Sequence, residues 1–214
     1  MTRLAIKICG LSTADTVGTA VRAGASHVGF VHFPKSPRHV SPEQMRDLAA
    51  AVPAHVDRVA VLVDPDDTLL SELAGLGVLS AFQLHGKETP ERAATIRQRF
   101  GLPVWKAMAV KTRADIDAAD AYSCAADRLL FDAKTPDGAA LPGGMGLRFD
   151  WTLLRDVHPL LPWGLSGGLS IDNVAEALRI TGAPLIDISS GVERAPGIKD
   201  MDKIATFCKA VETC

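Results

Sequence analysis

Leu4-Ala-Ile-Lys-Ile-Cys9, Ser12-Thr-Ala-Asp15 and His27-Val-Gly-Phe-Val-His-Phe33 follow one another near the N-terminus. The first and third segments are short and almost continuously apolar, which is typical of strands buried on both faces of a parallel sheet. The second segment is a helix start, and the Ala-rich stretch after it reaches about Ala23, with Gly24 as its expected C-cap. Together they predict a strand–helix–strand unit with a right-handed crossover.

The same alternation continues over the whole chain. Eight apolar runs of strand length recur, at Leu4–Cys9, His27–Phe33, Asp57–Val63, Ala81–His85, Pro103–Val110, Arg128–Ala133, Trp163–Ser166 and Leu185–Ser189. Helix signals after the later strands predict helices over 41–51, from 64 onward, and over 89–101, 112–121, 151–157, 170–182 and 199–211. Eight strand–helix pairs predict an α/β fold, the (β/α)8 TIM barrel, with an open doubly wound sheet as the alternative. Units of about 27 residues use the whole length, so residues 1–214 are predicted to form a single domain near the lower size limit of the fold.

Composition argues against several classes of protein. The chain has 23 Lys and Arg against 25 Asp and Glu, and this near-neutral balance without a basic cluster argues against a nucleic-acid partner. The longest segment without a charged residue, Val157–Ile171, contains prolines and is shorter than the about 20 apolar residues of a membrane span. The N-terminus lacks the features of a signal peptide, and the 4 Cys have no metal-type spacing. We therefore expect reduced thiols, no metal, no membrane contact and a cytoplasmic location.

Two reactive side chains stand where a barrel places its active site, at the C-terminal ends of strands. Cys9 ends the first predicted strand and can be either an inert packing residue or a base with a lowered pKa. Asp132 follows Leu129-Leu-Phe131 at the end of the sixth, and a carboxylate there is costly to bury unless it is paired or used. The alternative for Asp132 is a loop anchor or an N-cap.

Strand periodicity places Lys7 on the same face as Cys9, and Asp187 on the same face as Ser189. The first and eighth strands are neighbours in a closed barrel. We therefore predict that Lys7 and Asp187 point inward and form an ion pair. That pair can serve strand register, or Lys7 can help to hold Cys9 as a thiolate, and the sequence does not distinguish the two.

Three glycine-rich loops lie late in the chain. They are Pro142-Gly-Gly-Met-Gly146, Ser166-Gly-Gly-Leu169 and Ser189-Ser-Gly-Val192. Backbone amides in such loops bind anions, and the loops after strands seven and eight are the usual phosphate site of a TIM barrel. Each can also be a simple tight turn. The predicted phosphate-binding residues are Gly143, Gly144, Gly167, Gly168, Ser189, Ser190 and Gly191.

Two further residues are expected near the barrel mouth. Arg38, in the long loop after the second strand, is either a solvated surface charge or a fork that binds a carboxylate. His85 ends the fourth strand, where a hydrogen-bonded structural role is favoured over a functional one. The other His, Asp and Glu residues form no recognisable ligand set, so no metal site is predicted.

Several motifs occur together and in order from Lys7 to about Phe207. They are Lys7-Ile-Cys-Gly10, Phe33-Pro-Lys-Ser-Pro-Arg38, Gln83-Leu-His-Gly86, Leu130-Phe-Asp132, Gly143-Gly-Met-Gly-Leu-Arg-Phe-Asp-Trp151, Ser166-Gly-Gly-Leu169, Asn173-Val174, Asp187-Ile-Ser-Ser-Gly-Val-Glu193 and Pro196-Gly-Ile-Lys-Asp200. This series resembles the N-(5'-phosphoribosyl)anthranilate isomerase family of tryptophan biosynthesis.

The resemblance implies an enzyme that needs neither cofactor nor metal. It would perform an Amadori rearrangement of N-(5'-phosphoribosyl)anthranilate to 1-(2-carboxyphenylamino)-1-deoxy-D-ribulose 5-phosphate. By the family's pattern Cys9 matches the general base, Asp132 the general acid and Arg38 the residue near the anthranilate carboxylate. His85 and Asp187 join Arg38 among the implied substrate-binding residues, and the late glycine loops match the phosphate cradle. These roles require Asp132 to carry a proton and Cys9 to have a lowered pKa.

Two departures from the family pattern are visible. Met145 replaces the usual Thr of a Gly-Gly-Thr-Gly loop and so removes a hydroxyl, and Ser166 replaces the usual Ala of Leu-Ala-Gly-Gly-Leu. Neither change affects the implied acid or base.

Two other functions remain as alternatives. One is a barrel that binds a phosphorylated ligand without turnover. The other is a related sugar-phosphate enzyme, such as a metal-dependent epimerase or a histidine-pathway isomerase, although the latter usually has an aspartate where this chain has Cys9. The expected partner is one small phosphosugar–anthranilate molecule, and the chain is expected to act as a standalone monomer or homodimer.

Overall fold

The chain folds into a closed, all-parallel barrel. The structure, a computed structural model, describes residues 4–136 and 143–214. The barrel strands follow one another in chain order, β1 Ala5–Cys9, β2 His27–His32, β3 Asp57–Leu62, β4 Ala81–Leu84, β5 Val104–Val110, β6 Arg128–Ala133, β7 Trp163–Leu165 and β8 Leu185–Ile188. β8 pairs with β1 and closes the ring, with Lys7 opposite Asp187. The predicted (β/α)8 class is confirmed, and the open doubly wound alternative is excluded.

Helices connect most of the strands on the outside of the barrel. They are α1 Ala14–Arg22, α2 Pro42–Ala50, α3 Asp67–Gly75, α4 Pro90–Phe100, α5 Arg113–Asp117, α6 Val174–Thr181 and α7 Met201–Glu212. Their starts follow from side-chain caps: Ser41 accepts a hydrogen bond from the amide of Gln44, and Thr89 accepts one from the amide of Arg92. Gly101 and Gly182, both in the left-handed conformation, end α4 and α6.

The structure corrects three helix predictions. The fifth helix breaks after Asp117 and continues as a 3-10 helix, Ala118–Tyr122. After β6 the predicted helix over 151–157 is a single 3-10 turn, Trp151–Leu154, because Arg155 is extended and Asp156 has a φ of 57°. The helix predicted from 199 begins at Met201. Before it, β9 Glu193–Ala195 and β10 Ile198–Lys199 form an antiparallel hairpin that was not predicted.

Two apolar cores hold the barrel together. The larger core lies between the strands and the helices and includes Phe30, Phe82 and Phe131. The smaller one fills the barrel interior near the N-terminal ends of the strands and contains Val59, Ala81, Trp105, Leu130 and Leu185. Inward side chains become polar toward the C-terminal ends of the strands. The candidate site therefore lies at that end of the barrel, next to the smaller apolar core.

No helix among residues 4–136 and 143–214 is long and apolar enough to cross a membrane.

Candidate active site

A cavity opens at the C-terminal ends of the barrel strands. It encloses about 810 Å³ of space between protein atoms, including space open to solvent. The cavity is lined by almost all of the predicted site residues, namely Cys9, Arg38, His85, Asp132, Gly143, Gly144, Gly167, Gly168, Asp187, Ser189 and Ser190. Gly191 is the exception. It packs against the carbonyl of Leu169, where a Cβ would overlap the oxygen, so its need for glycine arises from that close approach.

Cys9 lies beside a buried ion pair. The Lys7 ammonium is completely buried and donates to Asp187 Oδ1 at 2.9 Å, which confirms the predicted pair. Burial alone lowers the pKa of Lys7, but the negative charges of Asp187 and Cys9 outweigh it and the pKa is raised. Gly29, opposite Cys9 in β2, makes room for this group: a Cβ there would lie 2.9 Å from Cys9 Sγ and 3.0 Å from Lys7 Nζ.

The expected lowering of the Cys9 pKa is wrong. Burial raises the pKa of the Cys9 thiol, and the charge of Asp187 acts in the same direction. Lys7 and, more weakly, Lys199 favour the thiolate, but they do not overcome burial. The physical reason is that a thiolate loses its hydration inside the barrel, and one lysine already paired with a carboxylate compensates only part of that loss.

Asp132 has two hydrogen-bond partners at the end of β6. The amide of Ala133 donates to Oδ1 at 2.8 Å, and His85 Nε2 lies 3.1 Å from Oδ2. Gln83 Nε2 lies 3.2 Å from His85 Nδ1, so the His85 ring is held between the Gln83 amide and the carboxylate. The structural role predicted for His85 is therefore accompanied by direct contact with the proposed acid.

Arg38 is buried and already binds a carboxylate of the chain itself. Its Nε donates to Glu193 Oε1 at 2.7 Å and its Nη2 to Glu193 Oε2 at 2.8 Å. Lys199 Nζ donates to the same Oε1 at 2.7 Å. Burial raises the pKa of Glu193, but hydrogen bonds from Arg38 and the charge of Lys199 outweigh it and the pKa is lowered. The fork predicted for Arg38 exists, yet Glu193 occupies it.

The glycine loops come close to the reactive side chains. A Cβ on Gly143 would lie 2.6 Å from His85 Nε2 and 2.8 Å from Asp132 Oδ2. A Cβ on Gly167, whose φ is 86°, would lie 2.6 Å from the amide nitrogen of Ala133. Met145, which departs from the family pattern, lines the cavity and is 49% exposed. Pro142, the first residue of its loop, lies outside the described residues.

Three residues of this region were not predicted to matter. Gln83 shares its strand face with His85, so the period-2 pattern that identified Lys7 could also have identified it. Glu193 and Lys199 belong to the motifs quoted above, but their contact with Arg38 depends on the unpredicted hairpin. Both are charged residues two positions from a glycine, a pattern that also describes most solvated loops.

The fold and this cavity define a class, the (β/α)8 barrel enzymes that bind a small molecule at the C-terminal mouth. The sequence profile described as N-(5'phosphoribosyl)anthranilate (PRA) isomerase matches residues 6–210. The chain belongs to this family.

Individual relatives agree over nearly the full length. The N-(5'-phosphoribosyl)anthranilate isomerase of Zymomonas mobilis subsp. pomaceae is 56% identical over 206 residues, which cover 96% of each chain. The enzyme of the same name from Paramagnetospirillum magneticum is 52% identical, covering 96% of this chain and 95% of its own. The crystal structure of phosphoribosyl anthranilate isomerase from Thermotoga maritima superposes with a TM-score of 0.88 at 36% identity, covering 100% of both chains.

Proposed function

We propose that this chain catalyses the cofactor-independent isomerisation of N-(5'-phosphoribosyl)anthranilate to 1-(2-carboxyphenylamino)-1-deoxy-D-ribulose 5-phosphate. One observation carries the proposal: a thiol, a carboxyl group, an arginine and glycine-loop residues line one cavity. The chain that forms this cavity is 56% identical to a protein named N-(5'-phosphoribosyl)anthranilate isomerase. A structural relative with a TM-score of 0.83 and 34% identity holds reduced 1-(o-carboxyphenylamino)-1-deoxyribulose 5-phosphate. That ligand carries a phosphate at one end and a carboxylate at the other. The glycine-loop amides and Arg38 are the donors proposed for these two groups.

Asp132 is assigned as the general acid. Carrying a proton, it would donate to the furanose ring oxygen, and the ring would open as electrons from the aniline nitrogen form a Schiff base. His85 and the Ala133 amide, which contact the two carboxyl oxygens, would hold the group in place during this step. The nitrogen of the substrate supplies the electron push, so the step needs no lysine imine.

Cys9 is assigned as the general base. As a thiolate it would remove the proton from C2' of the open-chain Schiff base, giving an enolamine that then tautomerises to the ketone. Lys7, the nearest cation, would stabilise the thiolate while Asp187 keeps the lysine in position. Because burial raises the Cys9 pKa, we expect the rate to rise with pH until the thiol ionises.

The phosphate is assigned to the loops after β7 and β8. Gly167, Gly168, Ser189 and Ser190 line the cavity there, and Gly143 and Gly144 face them from the loop after β6. Amides freed of side chains let an anion approach the backbone. Gly191 supports this loop from behind through its contact with Leu169.

The test is a fluorescence assay that follows the loss of phosphoribosylanthranilate. We expect Cys9→Ala and Asp132→Asn each to lower kcat by about 10²-fold or more, the low end of the acid–base range, while circular dichroism remains unchanged. Cys124→Ala and Asp47→Asn, exposed residues of the same types, serve as matched controls and should retain full activity.

Two outcomes would contradict these assignments. Near-native turnover in Cys9→Ala or Asp132→Asn removes the role of that residue. A wild-type protein that binds the reduced product but does not convert the substrate is a binding protein and not an isomerase.

We propose that the chain is a monomer or a homodimer. The Thermotoga maritima enzyme is described as dimeric and has monomeric variants that share this fold with a TM-score of 0.83. Light scattering of the purified chain distinguishes the two states.

A further inference from the structure

Glu193 is buried in contact with two cations. Arg38 binds it through two nitrogens at 2.7 and 2.8 Å, and Lys199 binds it at 2.7 Å. Arg38, Glu193 and Lys199 are 5%, 8% and 7% exposed, so these contacts are shielded from water. One carboxylate among two cations leaves the cluster with a net positive charge beside the cavity.

This contact decides which part of Arg38 a ligand can reach. Nε and Nη2 face Glu193, and Nη2 also donates to the carbonyl of Gly144 at 3.0 Å. Nη1 has no acceptor within the described part of the chain. It lies on the side of Gly144, where a Cβ would come within 2.6 Å of it. A carboxylate in the cavity therefore meets Arg38 through Nη1 and not through the fork.

The same cluster also contacts a hydroxyl of the cavity wall, close to Arg38: a Cβ on Gly10 would touch both Arg38 Cδ and Ser189 Oγ. Lys199 Nζ donates to the Ser189 carbonyl at 2.9 Å and to Ser189 Oγ at 3.1 Å. An ammonium has no lone pair, so Ser189 Oγ is the acceptor and its own O–H is left to donate elsewhere. Ser189 lines the cavity, and its hydroxyl is thus available to an anion there.

The hairpin β9–β10 supplies both halves of this arrangement. Glu193 opens β9, Lys199 ends β10, and the amide of Gly197 between them donates to Glu193 Oε2 at 3.2 Å. Gly197 also packs on the carbonyl of Pro37, next to Arg38, so tightly that a Cβ would overlap it. The hairpin is therefore attached to the loop after β2 as well as to the loop after β8.

We propose that Glu193 and Lys199 are positioning residues that set the donors of two subsites of one ligand, Arg38 Nη1 for its aryl carboxylate and the Ser189 hydroxyl for its phosphate. The inference rests on the proposed function and deepens it. Glu193 binds Nε and Nη2 and so fixes the Arg38 side chain in one orientation, with Nη1 left as the nitrogen that holds the carboxylate. Lys199 orients Ser189 and fixes Glu193, and so links the two ends.

The experiment measures calorimetric affinities of three ligands. The first is reduced 1-(o-carboxyphenylamino)-1-deoxyribulose 5-phosphate, the second lacks its ring carboxylate, and the third lacks its phosphate. We expect Glu193→Gln to weaken the first ligand by about tenfold or more and the second by less than about threefold, because only the carboxylate uses Arg38. We expect Lys199→Met to weaken the first and second ligands far more than the third.

A neighbouring lysine provides the matched control. Lys203 Nζ donates to the main-chain oxygen of Glu193 and contacts no carboxylate in the described structure. Lys203→Met should leave all three affinities unchanged. If Glu193→Gln fails to fold, judged by circular dichroism, Glu193→Asp retains the charge but is one methylene too short to span both cations, and it should lose the same discrimination for the carboxylate.

The failure of this inference differs from the failure of the proposed function. If the wild-type protein converts the substrate but Glu193→Gln, or Glu193→Asp in its place, weakens the first and second ligands equally or not at all, the positioning role is overturned. If the wild-type protein neither converts the substrate nor binds the first ligand, the proposed function and the inference fall together.

Discussion

Lys7 has no contact with water, yet its ammonium lies between one carboxylate and one thiol. Asp187 holds it at 2.9 Å, and the missing side chain of Gly29 leaves space for it beside Cys9. Lys7 favours the Cys9 thiolate and Asp187 opposes it. At the residue scale, the ionisation of one sulfur thus depends on the balance between two opposite charges.

This balance predicts opposite shifts from two substitutions. Lys7→Met removes the cation that lowers the Cys9 pKa, so the thiol should ionise at higher pH, by about one unit or more. Asp187→Asn removes an anion that raises it, so the thiol should ionise at lower pH. The measurement is the pH dependence of Cys9 alkylation by iodoacetamide, followed by mass spectrometry of the peptide that contains it. If the two variants do not shift the Cys9 pKa in opposite directions, the charges of Lys7 and Asp187 do not control the ionisation of the thiol.

Position along a strand was enough to place Cys9 and Asp132 at the cavity and to predict the Lys7–Asp187 pair. It could not give the direction of the Cys9 pKa, because burial is a property of every element packed around the sulfur. Arg38 shows the same limit. Its fork was recognised from the residue type, but its partner Glu193 is 155 positions away and no local pattern joins them.

At the scale of the elements, helix boundaries follow their caps. Ser41 shows this most completely: its hydroxyl accepts from the Gln44 amide at 3.2 Å, and the Gln44 side chain accepts from the Ser41 amide at 2.9 Å. This capping box begins α2 three residues after Arg38, so it also fixes where the loop after β2 ends.

Removal of this cap should destabilise the fold without altering the cavity. Ser41→Ala is expected to lower the free energy of unfolding by about 1 kcal/mol, measured by urea denaturation, with kcat unchanged. Ser71→Ala is the matched control. Its hydroxyl binds the carbonyl of Asp67 inside α3, and alanine there should be neutral or slightly stabilising. Equal effects of the two substitutions would show that the box contributes nothing specific.

Elements without such local signals were predicted poorly. The hairpin β9–β10 has strands of 3 and 2 residues, with charged and small side chains and no apolar alternation. The 3-10 turn after β6 ends where Asp156 takes a positive φ, which a non-glycine residue rarely adopts. The hairpin makes its contacts with Arg38 and Pro37, more than 150 positions away, which no local pattern reveals.

At the scale of the molecule, the two ends of the barrel contain different polar groups. The C-terminal end holds the cavity, and the N-terminal end holds a neutral histidine, His27. Its Nδ1 lies 2.8 Å from Ser26 Oγ, its Nε2 lies 3.3 Å from Asp57 Oδ2, and its ring meets the edge of Trp105. Burial lowers the pKa of His27 to about 4, Arg128 and Lys7 act in the same direction, and Asp57 opposes them.

His27 therefore makes the stability of the whole barrel depend on pH. Its folded pKa lies below its unfolded value, so the unfolded state binds the extra proton first. The stability due to neutral His27 is complete above about pH 6.5 and is lost as pH falls toward 4, at up to about 1.4 kcal/mol per pH unit.

Urea denaturation at pH 8 and pH 5 tests this dependence. His27→Asn should show a clearly smaller loss of stability between the two pH values than the wild-type protein. His55→Asn, on the surface, should retain the wild-type loss. The same loss in both variants would assign the acid sensitivity to other groups.

The pairing of β8 with β1 affects the order in which the cavity can form during synthesis. Lys7 and Asp187 are 180 positions apart, so a ribosome has released Cys9, Arg38 and Asp132 long before it releases the carboxylate that Lys7 needs. Pairing of such distant segments is the slow part of folding, because a long loop must close before any contact rewards it. A nascent chain that stops short of β8 thus lacks Asp187, Ser189 and Ser190 of the cavity, as well as Glu193 and Lys199. We expect its chemistry to begin when the ring closes and not gradually during synthesis.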